Sequence, residues 1–346
     1  MSLMLNLVIF VVAGAAVWIA GTRMSGYADT ISKRTGLGQA IVGLLLLAGV
    51  TSLPEIAVSV TASIAGNPTL AINNLFGSIA MQVAILAVID FIIGRRALTA
   101  VVPDPGLLLL GTLNILLLAL AVAGMVIGDT AFLGIGLWAW ASLVAYVFCL
   151  WLLSANDGRQ PWLAASPDSR GGEPIVAREP ADEEDDQRGP VERALIVRTV
   201  IAATTILIAG YGLATSGDAI AEQTGLGSSF VGFVLVAVST SLPEFSTALG
   251  AARRGRFTMA IADILGTNLI NVGLLFVVDA VAPGEPVFNT VDSFAVVGAL
   301  LGIIVTALFL AGLAERRDRT VFRMGVDSVA VLVVYSAGLI FVFTMR

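Results

Sequence analysis

The chain has 346 residues, of which 57% are hydrophobic and 13% are charged, and its formal net charge is −6. Soluble domains carry about 25% charged residues, so this composition and a mean hydropathy of +0.94 weigh strongly against a large water-soluble enzyme. The lack of histidine and the single cysteine exclude His-based zinc sites, Ser-His triads and internal disulfides. No basic patch suits nucleic acid.

Apolar segments long enough to cross a bilayer recur along the whole chain. A transmembrane helix needs about 20 predominantly apolar residues. Ten segments meet or nearly meet this length: 3–21, 38–64, 68–94, 105–125, 130–153, 196–216, 227–251, 257–282, 290–313 and 323–344. The sequence therefore predicts an all-α membrane protein with ten transmembrane helices.

The positions of lysine and arginine predict how these spans are oriented. With ten spans, 18 of the 19 basic residues fall in loops or at loop edges on one side, and only Arg346 lies on the other. By the positive-inside rule, the basic side is cytoplasmic. We therefore expect an integral multi-pass protein of the plasma (inner) membrane, with both termini outside.

One long polar segment, 154–195, separates five spans in residues 1–153 from five in residues 196–346. It contains five prolines and an acidic run at 182–186. Segments with little apolar surface and high charge do not pack, so we predict a disordered acidic linker on the cytoplasmic side. A regulatory cation sensor is the alternative, although the spacing does not match an EF-hand loop.

The two five-helix units are repeats of each other at a constant offset of 189 residues. The sequence Thr-Ser-Leu-Pro-Glu at 51–55 recurs at 240–244, within related segments 43–82 and 232–271. Because each unit has an odd number of spans, the second enters the membrane in the opposite orientation. Inverted repeats are typical of secondary transporters, whose binding sites lie near the midplane at interrupted helices.

Both Thr-Ser-Leu-Pro-Glu segments lie inside an apolar span, in the second and seventh predicted helices. A proline inside a helix removes one N–H and clashes with the carbonyl four residues earlier. These carbonyls belong to Val50 and Ser239. We therefore predict that helices 2 and 7 are interrupted here, and that the freed carbonyls contribute to an ion site.

Glu55 and Glu244 are the most informative residues of these segments. A carboxylate deep in a bilayer costs several kcal/mol unless it is paired or protonated, and no Lys or Arg lies in the middle of a span. An external cation or a proton must then neutralise them. Hard oxygen ligands suit Ca²⁺ or Na⁺. Protonated glutamates that hydrogen-bond between helices are the structural alternative.

Each interrupted span is followed by a helix with a polar stripe at i, i+4 and i+8. The stripes comprise Asn74, Ser78 and Gln82 in the first repeat and Asp263, Thr267 and Asn271 in the second. They either contact the ion or bond between helices, with Gly77 and Gly266 as close-packing contacts. The paired Asp90 and Asp279 lie near span ends, where hydration is expected and a role in admitting ions is the alternative.

The paired segments resemble the cation/Ca²⁺ exchanger superfamily, specifically the Na⁺/Ca²⁺ exchanger membrane-domain family. That family carries two inverted repeats, each with a G-T-S-x-P-E-like segment followed by a G-N-x-x-G-S-N-x-x-N-like segment. The resemblance implies alternating access, with the first and sixth helices sliding against the remaining core. It implies a divalent site at Thr51, Glu55, Thr240 and Glu244. It also implies monovalent sites at Ser52, Ser78, Gln82, Ser241, Thr267 and Asn271, with Asn74 and Asp263 as possible further contacts.

This sequence departs from the family pattern at several of those positions. Gln82 replaces an asparagine, Asp263 replaces an asparagine, and Asn271 stands where several Na⁺/Ca²⁺ exchangers have aspartate. These changes leave the coupling ion open between Na⁺ and H⁺.

The hypotheses are therefore a Na⁺/Ca²⁺ antiporter and a cation/H⁺ antiporter in which Glu55, Glu244 or Asp263 carries the proton. A channel is disfavoured because a static pore needs no paired broken helices. An intramembrane hydrolase is disfavoured because no Ser-His or Ser-Lys arrangement exists, so we expect no enzyme activity and no cofactor. The expected partners are the lipid bilayer and inorganic cations, with no nucleic acid and no protein partner inferred.

Overall fold

The computed structural model describes residues 1–35, 48–94, 97–102, 105–155, 191–315, 319–321 and 323–345. Within these ranges the longer helices are labelled in chain order: α1 (Leu3–Thr35), α2 (Leu53–Ile64), α3 (Pro68–Ile93), α4 (Pro105–Ile127), α5 (Leu137–Ala155), α6 (Arg193–Thr224), α7 (Leu242–Arg253), α8 (Phe257–Val281), α9 (Ser293–Glu315) and α10 (Val326–Thr344). Shorter helices cover Leu98–Val101, Ser228–Phe230, Ala237–Thr240 and Val287–Asn289, and a π-helix covers Val231–Val236.

The described residues contain eight helices that are long and apolar enough to cross a membrane. The pair Ser228–Thr240 and Leu242–Arg253 bends by 43° at its break and counts as a ninth when the two helices are taken as one span. Of the predicted span 38–64, the described part includes the apolar helix α2, while residues 36–47 lie outside the described residues. The structure is thus a multi-helix membrane protein with eight or nine observed spans.

Several predicted helix bounds were wrong, for identifiable reasons. Helix α1 continues past residue 21 to Thr35, and α6 continues past residue 216 to Thr224. Hydropathy shows where the apolar residues end, whereas the helical hydrogen bonds of the backbone continue through the polar residues that follow. Two short antiparallel pairs precede α5 and α10: β1 (Ala131–Phe132) with β2 (Ile135–Gly136), and β3 (Thr320–Val321) with β4 (Met324–Gly325). Spans predicted from residues 130 and 323 therefore begin later as helices.

Helices α3 and α8 form the centre of the molecule. In their most apolar windows 72% and 89% of the residues are buried, against 33% for α1 and 22% for α6. Helices α3 and α8 pack against each other, and α1 packs most extensively against α6 at the periphery. The stripes on α3 and α8 therefore lie in the protein core, because both helices are surrounded by other helices.

A close backbone approach fixes α3 against the π-helix before α7. A Cβ atom at Gly77 would lie 2.1 Å from the carbonyl oxygen of Phe233, and one at Gly232 would lie 2.6 Å from the carbonyl oxygen of Leu70. Only glycine permits such contact. At Gly266, the repeat counterpart of Gly77, the nearest atom among the described residues is the Ala48 Cβ at 3.3 Å, and residue 44, the counterpart of Phe233, lies outside the described residues.

Asp90 and Asp279 are buried rather than hydrated, which corrects the expectation for these helix ends. The Asp90 carboxylate accepts hydrogen bonds from the backbone N–H of Leu98 at 2.8 Å and of Gly325 at 2.7 Å. The Asp279 carboxylate accepts them from Val287 at 2.5 Å and Gly136 at 2.6 Å. Gly325 belongs to the second repeat and Asp90 to the first, whereas Gly136 belongs to the first and Asp279 to the second. Each aspartate therefore links the end of its own helix to the β pair of the other repeat.

The predicted linker 154–195 is only partly described. Helix α5 ends at Ala155 and α6 begins at Arg193, while residues 156–190, which include the acidic run, lie outside the described residues. The prediction of a disordered segment therefore stays a prediction.

Candidate functional site

The Thr-Ser-Leu-Pro-Glu segments form two helix breaks of the same construction. Ser52 and Ser241 immediately precede α2 and α7 without a capping hydrogen bond from either side chain, and each helix then carries a proline in its first turn. Proline is tolerated there because its missing N–H would have no intrahelical partner. A helical stretch ends immediately before each break, at Thr51 and at Thr240. At each break, the carbonyl groups at the end of one helical stretch therefore lie close to the N–H groups at the start of the next.

Glu55 and Glu244 occupy the first turns of α2 and α7, where the helix dipole favours a negative charge. Both side chains are 0% exposed. None of their four carboxylate oxygens has a hydrogen-bond partner. The two carboxylates also interact with each other electrostatically. Such a pair needs a positive charge or a proton, since the interior cannot hydrate it.

Hydroxyl groups of both repeats lie beside the two glutamates. Thr240 and Ser78 lie beside Glu55, and Thr51 lies beside Glu244, in positions that fall short of full hydrogen-bond geometry. These hydroxyls could rotate to present oxygen lone pairs to a bound cation. Each glutamate is thus paired with the threonine of the other repeat.

Two hydroxyl pairs link the repeats directly. The Oγ1 atoms of Thr51 and Thr267 lie 3.3 Å apart, and Ser78 Oγ lies 3.3 Å from Thr240 Oγ1. The 189-residue offset relates the two pairs to each other. The site therefore has approximate two-fold symmetry, and four hydroxyl groups predicted to contact ions meet in the core.

The remaining serines and carbonyls of the breaks have different partners. Ser52 Oγ donates to the Ala48 carbonyl at 2.8 Å, and Ser239 Oγ donates to the Leu235 carbonyl at 3.0 Å. The Ser241 hydroxyl is buried without a partner. The Val50 side chain packs toward Ala20 and Met24 of α1. A role of the Val50 and Ser239 carbonyls as ligands stays a prediction.

Buried amides continue both polar stripes. Asn74 Oδ1 accepts a hydrogen bond from Thr240 Oγ1 at 3.3 Å. Gln82 and Asn271 lie one helical turn beyond Ser78 and Thr267, and no polar atom of either side chain has a partner. Unpartnered buried amides are costly, so these two are candidates to contact an ion or water.

Asp263 breaks the symmetry of the site. It is 2% exposed; its Oδ2 accepts a hydrogen bond from Thr247 Oγ1 at 2.8 Å, whereas its Oδ1 has no partner. The Thr247 hydroxyl also lies 3.0 Å from the Glu244 carbonyl oxygen, which can share its proton, and Asp263 interacts electrostatically with Glu244. The corresponding residues of the first repeat are Asn74 and Val58. The second repeat thus carries an additional carboxylate with its own hydroxyl partner.

Sequence reasoning missed Thr247. Its signal is weak, because it lies outside the shared motif and has Val58 as its counterpart. Its spacing of three residues after Glu244 was the available indication, since such residues share a helix face.

The charge in this cluster comes from carboxylates alone. Among the buried residues of the described ranges there is no Lys or Arg. In the same ranges no group of three or more His, Cys, Asp or Glu is placed to hold a metal ion. The site therefore combines two glutamates, and Asp263 beside Glu244, with neutral hydroxyl and amide oxygens, which suits a hard cation held reversibly.

Comparison with known proteins places this architecture in a family. The family model described as "Sodium/calcium exchanger protein" matches residues 5–166 and 194–344. The chain belongs to that family. As a sodium/calcium exchanger family member it is a cation antiporter and an integral multi-pass membrane protein, in a family of transporters rather than enzymes.

This family member is similar to a curated relative and to two solved structures. It is 28% identical over 269 residues to the inner membrane protein YrbG of Escherichia coli K12, and the aligned region covers 75% of each chain. The fold matches the crystal structure of the H⁺/Ca²⁺ exchanger CAX with a TM-score of 0.68, at 15% identity over 98% of this chain and 85% of that one. It matches the sodium-calcium exchanger NCX_Mj with a TM-score of 0.58, at 18% identity over 97% and 98%.

Proposed function

We propose that this exchanger-family antiporter exchanges Ca²⁺ for Na⁺ by alternating access, with Glu55 and Glu244 binding the divalent cation. The observation that carries the proposal is the pair of fully buried glutamates whose four oxygens have no hydrogen-bond partner. Two carboxylates match the charge of one Ca²⁺, and the neighbouring hydroxyls supply further hard oxygens.

Exchange follows if the two ions cannot bind together. Ca²⁺ neutralises both glutamates at once, whereas Na⁺ ions use overlapping oxygens of the hydroxyl pairs and of Gln82 and Asn271. Each ion therefore displaces the other. The empty site carries two uncompensated negative charges, so the empty protein changes only slowly between its outward-facing and inward-facing states. Each change of state that carries transport therefore requires a bound ion.

The proposal includes ten spans, with helices 2 and 7 interrupted at the site and both termini outside. Support comes from the basic loops, from the bend before α7, and from the short apolar helix α2 at the corresponding position. The plasma (inner) membrane is the proposed location. The peripheral pair α1 and α6 is proposed to slide against the core, because it is far less buried than α3 and α8.

A H⁺/Ca²⁺ antiporter is the second candidate, and Asp263 is the observation that favours it. A third carboxylate beside Glu244 can take up a proton when Ca²⁺ leaves, whereas it adds nothing that Na⁺ coupling requires. A solved structure with the same fold is described as a H⁺/Ca²⁺ exchanger and another as a sodium-calcium exchanger, so the fold is compatible with both.

The two candidates are separated by radiolabelled Ca²⁺ uptake into proteoliposomes with an outward Na⁺ gradient or an outward H⁺ gradient. We expect uptake to be driven by Na⁺ and to persist in Asp263→Asn. Uptake that is driven only by H⁺ and is lost in Asp263→Asn would establish the second candidate. Glu285→Gln is the matched control, because it removes an exposed carboxylate outside the site.

A further inference from the structure

Two buried serines of α2 have no part in the site described above. Ser59 is 1% exposed and Ser63 is 0% exposed, and neither hydroxyl has a hydrogen-bond partner. A serine inside a membrane helix ordinarily satisfies its hydroxyl by donating to the carbonyl four residues earlier. Because these two serines do not, each leaves a polar group in the core that a passing ion or water molecule can contact.

The two hydroxyls form a continuous stripe with the ion site. Glu55, Ser59 and Ser63 are spaced by four residues, so they share one face of α2. At 1.5 Å per residue the stripe runs about 12 Å from the glutamate toward the end of the helix. Helix α2 ends at Ile64, and the chain turns at Gly66 into Asn67, which caps α3. The stripe is therefore directed at the loop between α2 and α3.

A polar cavity of about 480 Å³ lies at that loop. Its polar lining comes from the α2–α3 connection, the end of α6 and the start of the seventh span: Asn67, Thr69, Asp218, Glu222, Ser228 and Ser229. The Asn67 side chain donates hydrogen bonds to Asp218 and to Ser228, which ties the three segments together. Two carboxylates, Asp218 and Glu222, line this open pocket, where they concentrate cations from solution.

The second repeat shows that the fold does not require these serines. The residues 189 positions after Ser59 and Ser63 are Ala248 and Ala252, which are also buried, on the equivalent helix α7. The same packing is thus achieved with apolar side chains. The hydroxyls distinguish one half of the molecule from the other.

We propose that the cavity and the Ser59–Ser63 stripe form the access path through which partly dehydrated cations move between one membrane face and Glu55. The proposed topology makes that face the outer one. The path rests on the proposed function, because it delivers ions to the Glu55–Glu244 site. The other half of the molecule lacks the hydroxyls, so the two directions of access differ chemically.

The first test replaces both serines with the residues of the other repeat, as Ser59→Ala with Ser63→Ala. Equilibrium Ca²⁺ binding in detergent should stay unchanged, whereas the initial rate of Ca²⁺ uptake should fall about fivefold, the effect of one lost hydrogen bond on a barrier. Ser142→Ala is the matched control, since Ser142 is an equally buried serine without a partner on α5. An unchanged uptake rate in the double variant would overturn the path.

The second test measures water access directly. In a Cys149→Ala background, Ser63→Cys should react with a membrane-impermeant methanethiosulfonate reagent added outside intact cells, and the reaction should block uptake. Ala62→Cys, at the same depth on the packed face of α2, should react at least about tenfold more slowly. Equal rates, or reaction only in inside-out vesicles, would contradict the proposal. Failure of the background protein to transport Ca²⁺ under any gradient would instead contradict the proposed function.

Discussion

The Thr51 hydroxyl lies 3.3 Å from the Thr267 hydroxyl, and both groups come from different repeats. Ser78 and Thr240 repeat this relationship at the same distance. A hydroxyl that only filled space between helices would not need an equivalent at the symmetry-related position. The two pairs instead line the space beside Glu244 and Glu55, so the cage is built from both halves of the chain.

The hydroxyl of Thr240 is predicted to bind the transported ion. Thr240→Val keeps the shape but removes the oxygen beside Glu55, so the apparent affinity for Ca²⁺ should fall about tenfold. Thr240→Ser restores the oxygen and should restore most of the affinity. The measurement is the Ca²⁺ concentration that gives half-maximal uptake. Equal affinities for the valine and serine variants would mean that the residue only packs.

Asp263 should strengthen divalent binding from the second repeat. Asp263→Asn preserves an oxygen that accepts from Thr247 but removes a negative charge near Glu244, so Ca²⁺ affinity should fall about three- to tenfold. Asn74→Asp is the mirror-image control and should raise affinity, because it adds a carboxylate at the related position of the first repeat. Isothermal titration of the purified protein gives both values. An Asp263→Asn variant with unchanged affinity would contradict this role.

Gly77 should be far less tolerant of a side chain than Gly302 of α9. A Cβ at Gly77 would lie 2.1 Å from a backbone oxygen that cannot move aside, whereas the described atoms nearest to a Cβ at Gly302 are the ends of the Ile79 and Leu118 side chains, at 3.3 and 3.5 Å. Gly77→Ala should therefore cost more than about 3 kcal/mol and Gly302→Ala less than about 1 kcal/mol. Thermal unfolding in detergent compares them. Similar melting temperatures would show that α3 and the seventh span are less closely packed than described.

Asp90 and Asp279 should matter for stability and not for ion selectivity. Asp90→Asn and Asp279→Asn each weaken a carboxylate that accepts two backbone N–H groups, at a cost of about 1–3 kcal/mol per variant. Both should lower the melting temperature while the folded protein keeps the Ca²⁺ affinity of the parent. A change in Ca²⁺ affinity without a change in melting temperature would instead indicate that these residues take part in admitting ions.

The motif residues could be predicted because the chain repeats itself. Identical Thr-Ser-Leu-Pro-Glu segments in two apolar spans indicated buried glutamates, and both are buried at helix breaks. Helix ends were less predictable. Hydropathy cannot indicate that α1 extends beyond the apolar residues, or that a β pair precedes α5.

The partners of Asp90 and Asp279 could not be predicted from sequence. Each aspartate accepts a hydrogen bond from a glycine in the other repeat, and Gly325 is 235 residues from Asp90. An aspartate near the end of a predicted span indicates only that a polar side chain lies there, and the simplest expectation is that water hydrates it. The serines of α2 had a local signal in their four-residue spacing from Glu55, whereas Thr247 lacked a repeated counterpart.

The most direct test of the account is Ca²⁺ uptake by proteoliposomes that contain the parent protein, Glu55→Gln, Glu244→Gln or the exposed control Glu285→Gln. The glutamine variants keep the size of the side chain but lose the charge that holds the divalent cation. We predict that the parent and Glu285→Gln take up Ca²⁺, and that each site variant loses at least about 99% of the rate. Intact uptake in both Glu55→Gln and Glu244→Gln would contradict the account.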